Sequence, residues 1–150
     1  MIDETTDFYN WESAGLRKIA KAHGGIIING KEHYIDELTG LQFKKGDILL
    51  LRLKKKWFDM IAQGVKKEEY RSLTHYWETR LIRFIVDQAF EFKPFKRIRF
   101  INGYGKTRPT MDIEFKGIRI GRGNPEWGAE KGVDYFCIDT SSIIQTWNYD

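Results

Sequence analysis

Three charged residues of different chemistry follow one another closely near the middle of the chain. Lys66, Glu69 and Arg71 place a flexible cation, a carboxylate and a rigid guanidinium fork within six residues. If residues 68–72 are extended, Glu69 and Arg71 project from the same face, because side chains alternate along a strand. Such a group could act as base, acid and phosphate clamp. The spacing alone favours surface ion pairs, each contributing about 0–1 kcal/mol.

A strand and a short helix precede this charged segment. Four consecutive apolar residues, Ile48 to Leu51, predict a strand that is buried on both faces. The next apolar residues recur at helical spacing, and Gly64 stands where a left-handed residue would end the helix. These apolar residues are Trp57, Met60, Ile61 and Val65. The charged segment is therefore predicted to leave a helix and enter a second strand.

Residues 64–71 resemble the Gly-x-Lys-x-x-Glu-x-Arg motif of the ASCH domain family, a branch of the PUA-like β-barrel superfamily. All four fixed positions of the motif are filled, by Gly64, Lys66, Glu69 and Arg71. The setting of strand, short helix, glycine and second strand is also similar. A looser resemblance extends from about Lys44 to Ile144. It includes the loop of residues 121–128, which is similar to the late loop of some small bacterial and phage-borne members. The resemblance implies an α+β fold, a PUA-like β-barrel with flanking helices.

The rest of the chain predicts several short strands and few helices. A helix is predicted from about Thr74 to Phe90, where Trp77, Leu81 and Phe84 follow helical spacing. From Pro94 onward the period changes to two, so residues 96–101 and 110–115 should each have a core face and a polar face. Short strands without regular βα alternation indicate an α+β barrel rather than a doubly wound sheet.

Residues 1–43 are interpreted as an N-terminal extension packed on an ASCH-like domain of residues 44–150. The first ten residues read as an acidic arm, and a short helix is predicted between Trp11 and the glycines at 24 and 25. Asn29-Gly30 predicts a tight hairpin turn between two strands. The extension could bind a protein partner or cover the barrel as a lid.

Composition limits the class of protein. The 150 residues suit one domain, 15% of them are aromatic, and no apolar run reaches membrane-spanning length. An acidic N-terminus predicts no secretory signal, so we expect a cytoplasmic protein. The single cysteine, Cys137, lies in an apolar run and should be a buried structural thiol. The three histidines have no ligand spacing, and the turn of residues 102–106 lacks the context of a phosphate-binding loop. We therefore expect no metal and no cofactor.

Basic residues are clustered along the chain. Residues 93–108 contain six bases and no acid, and a second group lies between Lys44 and Lys56. Aromatic residues such as Phe95, Phe100 and Tyr104 are interleaved with the first cluster. This pattern suits a polyanion such as RNA, because cations attract phosphates and rings stack on bases. A solvated sheet face that discourages edge pairing would show the same pattern.

The ASCH resemblance implies a ligand cleft lined by the segment from Lys66 to Arg71. The leading hypothesis is therefore a module that binds single-stranded RNA or a modified nucleoside. Desolvation in the cleft would lower the pKa of Lys66. Arg71 would clamp a phosphate or a base carbonyl, and Trp127 and Tyr104 would stack on a nucleobase. The predicted binding residues are Lys54, Arg71, Arg99, Tyr104, Asn124, Glu126 and Trp127.

Two other functions are carried as alternatives. Small stand-alone ASCH proteins include amidohydrolases that remove the acetyl group of N4-acetylcytidine with a Lys and a Thr of the motif and a separate Glu. Here Lys66 matches, Glu69 stands in place of the Thr, and Glu126 could supply the second carboxylate. Ribonuclease activity is also associated with the family, and Lys66 and Glu69 would then be the catalytic pair. The third possibility is a protein-interaction factor that acts through residues 1–43.

Overall fold

The computed structural model describes residues 26–87 and 89–149. These residues form four sheets and two short α-helices, which confirms the α+β class. None of the four described sheets closes into a barrel. The chain divides into two compact units, Met1–Ile48 and Leu49–Asp150. The helix predicted between Trp11 and residue 25 lies outside the described residues.

The first unit contains one sheet in its described part. Its strands are β1 (Ile26–Ile28), β2 (Lys31–Ile35) and β3 (Gln42–Lys44), paired in that order. Ile28 pairs with Lys31 across the turn, where Asn29 and Gly30 have φ angles of 51° and 77°. A type I′ hairpin turn needs positive φ at both central residues, and Asn-Gly adopts these angles readily. The predicted hairpin is confirmed.

Four strands form the larger sheet of the second unit. They are ordered β12 (Ile143–Trp147), β9 (Thr110–Glu114), β8 (Arg97–Ile101) and β4 (Ile48–Arg52). Leu49 and Leu51 of β4 are buried in the core, whereas Leu50 is 45% exposed. The prediction that β4 is buried on both faces is therefore wrong. The strand lies at the edge of the sheet and alternates between the core and solvent.

The other strands of the second unit form a three-stranded sheet and a hairpin. The sheet has the order β10 (Ile118–Arg122), β11 (Asp134–Asp139) and β5 (Glu68–Ser72). Strand β11 lies opposite the motif strand, with Phe136 paired to Arg71 and Ile138 paired to Glu69. Strands β6 (Ile82–Val86) and β7 (Ala89–Phe92) form the hairpin.

The helix α1 (Lys55–Ala62) connects β4 to the motif strand. It buries Phe58 and Ile61. The predicted glycine stop is confirmed, since Gly64 has a φ of 76° and its N–H donates to the Ile61 carbonyl at 2.9 Å. This turn reverses the chain, so the residues that follow return alongside the helix.

The second helix is shorter than predicted. Helix α2 spans His75–Leu81. Thr74 caps its N-terminus, because the Thr74 hydroxyl accepts the N–H of Trp77 at 3.4 Å. The prediction of a helix as far as Phe90 is wrong from residue 82 onward, where the β6–β7 hairpin begins. The β-branched residues of Ile82–Val86 favour extended backbone, and Asp87, with a φ of 48°, makes the turn.

The polar face predicted for β8 and β9 exists, and its central residues are buried while Glu114 at its end is exposed. Asp112 is fully buried and accepts two hydrogen bonds from Arg99, at 2.7 and 2.9 Å. Arg97 approaches the same carboxylate at 3.3 Å. The ring of Trp147 lies 5.6 Å from the guanidinium carbon of Arg99. These ion pairs let charged residues occupy the middle of the larger sheet.

Candidate functional site

A cavity of about 300 Å³ lies within the second unit, beside the motif strand. Its walls come from the end of β4, the start of α1, strand β5 and the turn at Pro125–Trp127. The lining residues are Arg52, Leu53, Lys54, Trp57, Lys66, Glu69, Tyr70, Arg71, Trp127 and Gly128.

The motif residues form a buried ion-pair chain at the cavity. Lys66 Nζ lies 3.2 Å from Glu69 Oε1, and Arg71 Nη2 lies 2.9 Å from Glu69 Oε2. The side chain of Lys66 is 1% exposed and that of Glu69 is 8% exposed. The prediction of solvent-exposed ion pairs, which the spacing alone favours, is therefore wrong. One carboxylate is held between two cations in a desolvated setting.

Lys66 is surrounded by groups that prefer a cation. Its Nζ donates to the backbone carbonyl of Trp127. The same atom lies 4.3 Å from the ring centroid of Trp57 and 5.2 Å from that of Tyr70. Burial nevertheless lowers the pKa of Lys66 below its usual value, and the attraction of Glu69 only partly opposes this effect. The direction expected from the sequence is confirmed.

Arg71 is held in place by hydrogen bonds and by a contact with an aromatic ring. Its Nη2 donates to Glu69 and to the backbone carbonyl of Arg52, at 2.9 and 3.0 Å. Its guanidinium carbon lies 4.9 Å from the ring centroid of Trp77. The Nε–H of Arg71 is buried and has no hydrogen-bond partner among the described residues.

Tyr70 connects the motif strand to the late loop. Its hydroxyl accepts the N–H of Asn124 at 2.9 Å and donates to Glu68 at 3.1 Å. Arg119 fixes Glu68 with two hydrogen bonds of 2.8 Å. Burial is the main reason that the pKa of Tyr70 is raised to about 12. This network holds the loop that carries Trp127 against β5.

Five of the predicted site residues line the cavity, namely Lys54, Lys66, Glu69, Arg71 and Trp127. Asn124 and Glu126 do not line it. They shape the turn that presents Trp127, because the Asn124 side chain accepts the N–H of Glu126 at 2.9 Å.

Two other predicted residues lie away from the lining. Arg99 does not reach the cavity, because its guanidinium is bound to the buried Asp112 within the larger sheet. Tyr104 does not line the cavity either and is 83% exposed. It contacts the lining through Arg52, whose guanidinium carbon lies 4.5 Å from the Tyr104 ring centroid.

Sequence reasoning did not identify half of the lining. The residues concerned are Arg52, Leu53, Trp57, Tyr70 and Gly128. Trp57 belongs to the apolar stripe predicted for α1, and alternation along an extended segment puts Tyr70 on the face opposite Glu69. Position on one helix or strand carries no information about a loop that packs on it from 60 residues away. For Trp57 the one local indication of a ligand site is its place in the first turn of α1, directly after three lysines.

Within the described residues, no group of three His, Cys, Asp or Glu side chains could hold a metal ion. Cys137 is buried, as predicted, and burial raises the pKa of its thiol. None of the helices in residues 26–87 and 89–149 is both long and apolar enough to cross a membrane.

Comparisons of the chain with protein-family models, with curated proteins and with solved structures found no match. The ASCH resemblance therefore depends on the motif of residues 64–71 and on its setting.

Proposed function

We propose that the chain is an ASCH-like module whose cavity binds a nucleobase of single-stranded RNA or a modified nucleoside. The observation that carries the proposal is the buried Lys66–Glu69–Arg71 chain at a cavity lined by three aromatic residues. The proposal includes a PUA-like fold for residues 49–150. The antiparallel strand pairs of these residues support it, and so does α1, which directly precedes the motif strand in sequence.

The size and composition of the cavity suit a nucleoside or nucleotide. A volume of about 300 Å³ is at the lower end of the range of small-molecule sites. Four cationic residues and one carboxylate line the cavity, which favours an anionic ligand. The aromatic lining residues, Trp57, Tyr70 and Trp127, provide surfaces of the kind on which bases stack.

The motif residues offer specific contacts to a base. Glu69 lies between Lys66 and Arg71, and a carboxylate accepts hydrogen bonds from an exocyclic amino group of a base. Arg71 lines the cavity, and its guanidinium would donate to a carbonyl or phosphate oxygen. Donor and acceptor are adjacent, so the pair could read one edge of a base.

Equilibrium binding tests this proposal. The probes are a mixed-sequence single-stranded octaribonucleotide, the four ribonucleoside 5′-monophosphates and N4-acetylcytidine. Replacing Arg71 with Ala removes a charged donor, and hydrogen bonds to charged groups contribute about 1.5–3 kcal/mol. We therefore expect at least one probe to bind about 10- to 150-fold more weakly to Arg71→Ala. Arg122→Ala is the matched control, since Arg122 pairs with Asp134 and does not line the cavity.

Two results would contradict the proposal. One is that no probe binds the wild-type protein. The other is that Arg71→Ala binds as well as Arg122→Ala. Circular dichroism and thermal melting of each variant would show whether a loss of binding reflects unfolding.

A hydrolase is the second candidate, and the lowered pKa of Lys66 beside Glu69 favours it. The lining contains no Ser or Thr hydroxyl, so water would be the nucleophile. In deacetylation, water adds to the acetyl carbon, the C–N bond breaks, and the released nitrogen takes a proton, giving cytidine and acetate. The neutral amine of Lys66 would accept the proton from water. Mass spectrometry of N4-acetylcytidine and RNA after incubation tests this. Product must form with the wild type and be absent with Lys66→Met. If both substrates stay intact, deacetylation and RNA cleavage are both excluded.

A further inference from the structure

We propose that the site takes a strand of at least two nucleotides, with Tyr104 as a second stacking position beside the cavity. This inference depends on the proposed function. The cavity would hold one base, and the Tyr104 ring would stack on the base of a neighbouring nucleotide. The ligand class is then a single-stranded polynucleotide rather than a free nucleoside.

The Tyr104 ring is held on one side and open on the other. Its residue is 83% exposed, which is unusual for a large aromatic side chain. The guanidinium carbon of Arg52 lies 4.5 Å from the ring centroid, and Arg52 Nη1 donates to the carbonyl of Gly103 at 2.9 Å. Arg52 therefore contacts both the ring and the loop that carries it, which restricts the ring. A restricted ring loses less conformational entropy when a base stacks on it.

Arg52 makes the two positions continuous. It lines the cavity, and its guanidinium covers one face of Tyr104, so a strand that left the cavity toward Tyr104 would pass this cation. A guanidinium has five N–H donors, so Arg52 can hold the loop and still donate to a phosphate. The backbone carbonyl of Arg52 also accepts a hydrogen bond from Arg71, which ties this residue to the motif.

The charge of the loop is consistent with a polynucleotide. Residues 102–109 contain Lys106 and Arg108 and no acidic residue, and residues 103–107 are all exposed. Cations that flank an exposed ring are the arrangement of single-strand binding surfaces, where phosphates contact the cations and bases stack on rings.

Variants of Tyr104 test the inference. Octamers of A, C and U ribonucleotides are compared with AMP, CMP and UMP, in binding to Tyr104→Ala, Tyr104→Phe and wild type. Loss of one stacked base weakens binding about 5- to 150-fold. We expect that loss for the octamers with Tyr104→Ala only, while monophosphate affinity changes by less than about twofold. Phe90→Ala is the control for loss of an exposed ring, on the β6–β7 hairpin.

The outcomes separate this inference from the proposed function. Unchanged octamer affinity in Tyr104→Ala would overturn the second stacking position, and so would an equal loss for monophosphates and octamers. Weak binding by Tyr104→Phe would also overturn it, because the ring is retained. If the wild type binds neither octamers nor monophosphates, the proposed function itself fails, and this inference fails with it.

Discussion

Substitution of Gly128 by alanine should disturb the cavity through Trp57. Gly128 follows the turn that carries Trp127, has a φ of 101° and lines the cavity. A Cβ at this position would lie 2.9 Å from Cζ2 of Trp57 and 3.3 Å from two further atoms of the ring. The ammonium of Lys66 also lies over the Trp57 ring, with Nζ 4.3 Å from the ring centroid. The added methyl group must therefore move either the turn or this ring.

The expected loss has two parts. A non-glycine residue in this backbone region costs about 1–3 kcal/mol. Overpacking against a confined ring adds about 1–3 kcal/mol. Gly105→Ala is a matched control, because Gly105 has a φ of 95° and a Cβ there would meet no atom within 4 Å. The control should show the backbone cost without the packing cost.

Urea unfolding of the two variants measures the difference. We expect Gly128→Ala to lose about 1–3 kcal/mol more unfolding free energy than Gly105→Ala, the packing part alone. When each glycine substitution is made separately in a Trp57→Leu background, most of that difference should disappear. The leucine side chain lacks the ring atoms that the added Cβ would meet. Equal losses for the two glycine variants, or a difference that persists without Trp57, would refute the packing of Gly128 on this ring.

Three further predictions concern the surrounding structure. Arg99→Met should lower the unfolding free energy by about 3 kcal/mol, because it leaves Asp112 buried with only the longer contact to Arg97, and Arg99→Met/Asp112→Leu should recover most of that loss in urea titrations. The folded-state pKa of Tyr70 is raised to about 12, so its contribution to stability is complete below pH 10 and lost as pH rises toward 12. The urea midpoint of Tyr70→Phe should accordingly fall less between pH 9.5 and pH 11 than that of the wild type, and equal falls would contradict the assignment. Cys137 should react with iodoacetamide only when the protein opens or unfolds, because its thiol is buried and its pKa is raised; rapid labelling of the native protein would count against this.

A buried lysine next to a carboxylate is costly for stability, which gives it functional interest. Burial lowers the pKa of Lys66, so the folded state binds this proton less tightly than the unfolded state does. Stability linked to this group therefore rises with pH from the lowered pKa up to 10.5. Glu69 and the Trp127 carbonyl compensate part of the desolvation cost. Perturbed ionisable groups in a cavity are frequent at functional sites.

Local features of the chain could be predicted from the amino-acid sequence. Asn29-Gly30 specified a hairpin turn, and Gly64 specified the end of α1, because both need positive φ angles that few residues adopt. If residues 68–72 are extended, alternation along a strand puts Glu69 and Arg71 on one face, and these residues do form β5, with Arg71 paired to Glu69. Each of these features depends on backbone conformation within a few residues. The apolar spacing after Leu81 failed as a guide, because strand pairing with β7 competes with the helix there.

The tertiary structure decided how the charged residues are used. Nothing in the spacing of Lys66 distinguishes a solvated ion pair from a buried one. Its burial depends on Trp57 and on the carbonyl of Trp127, which is 61 residues away. Arg99 likewise belongs to a basic segment in the sequence, yet it pairs with Asp112 across two strands. Local periodicity records which face a side chain occupies, whereas burial and pKa depend on which distant segment covers that face.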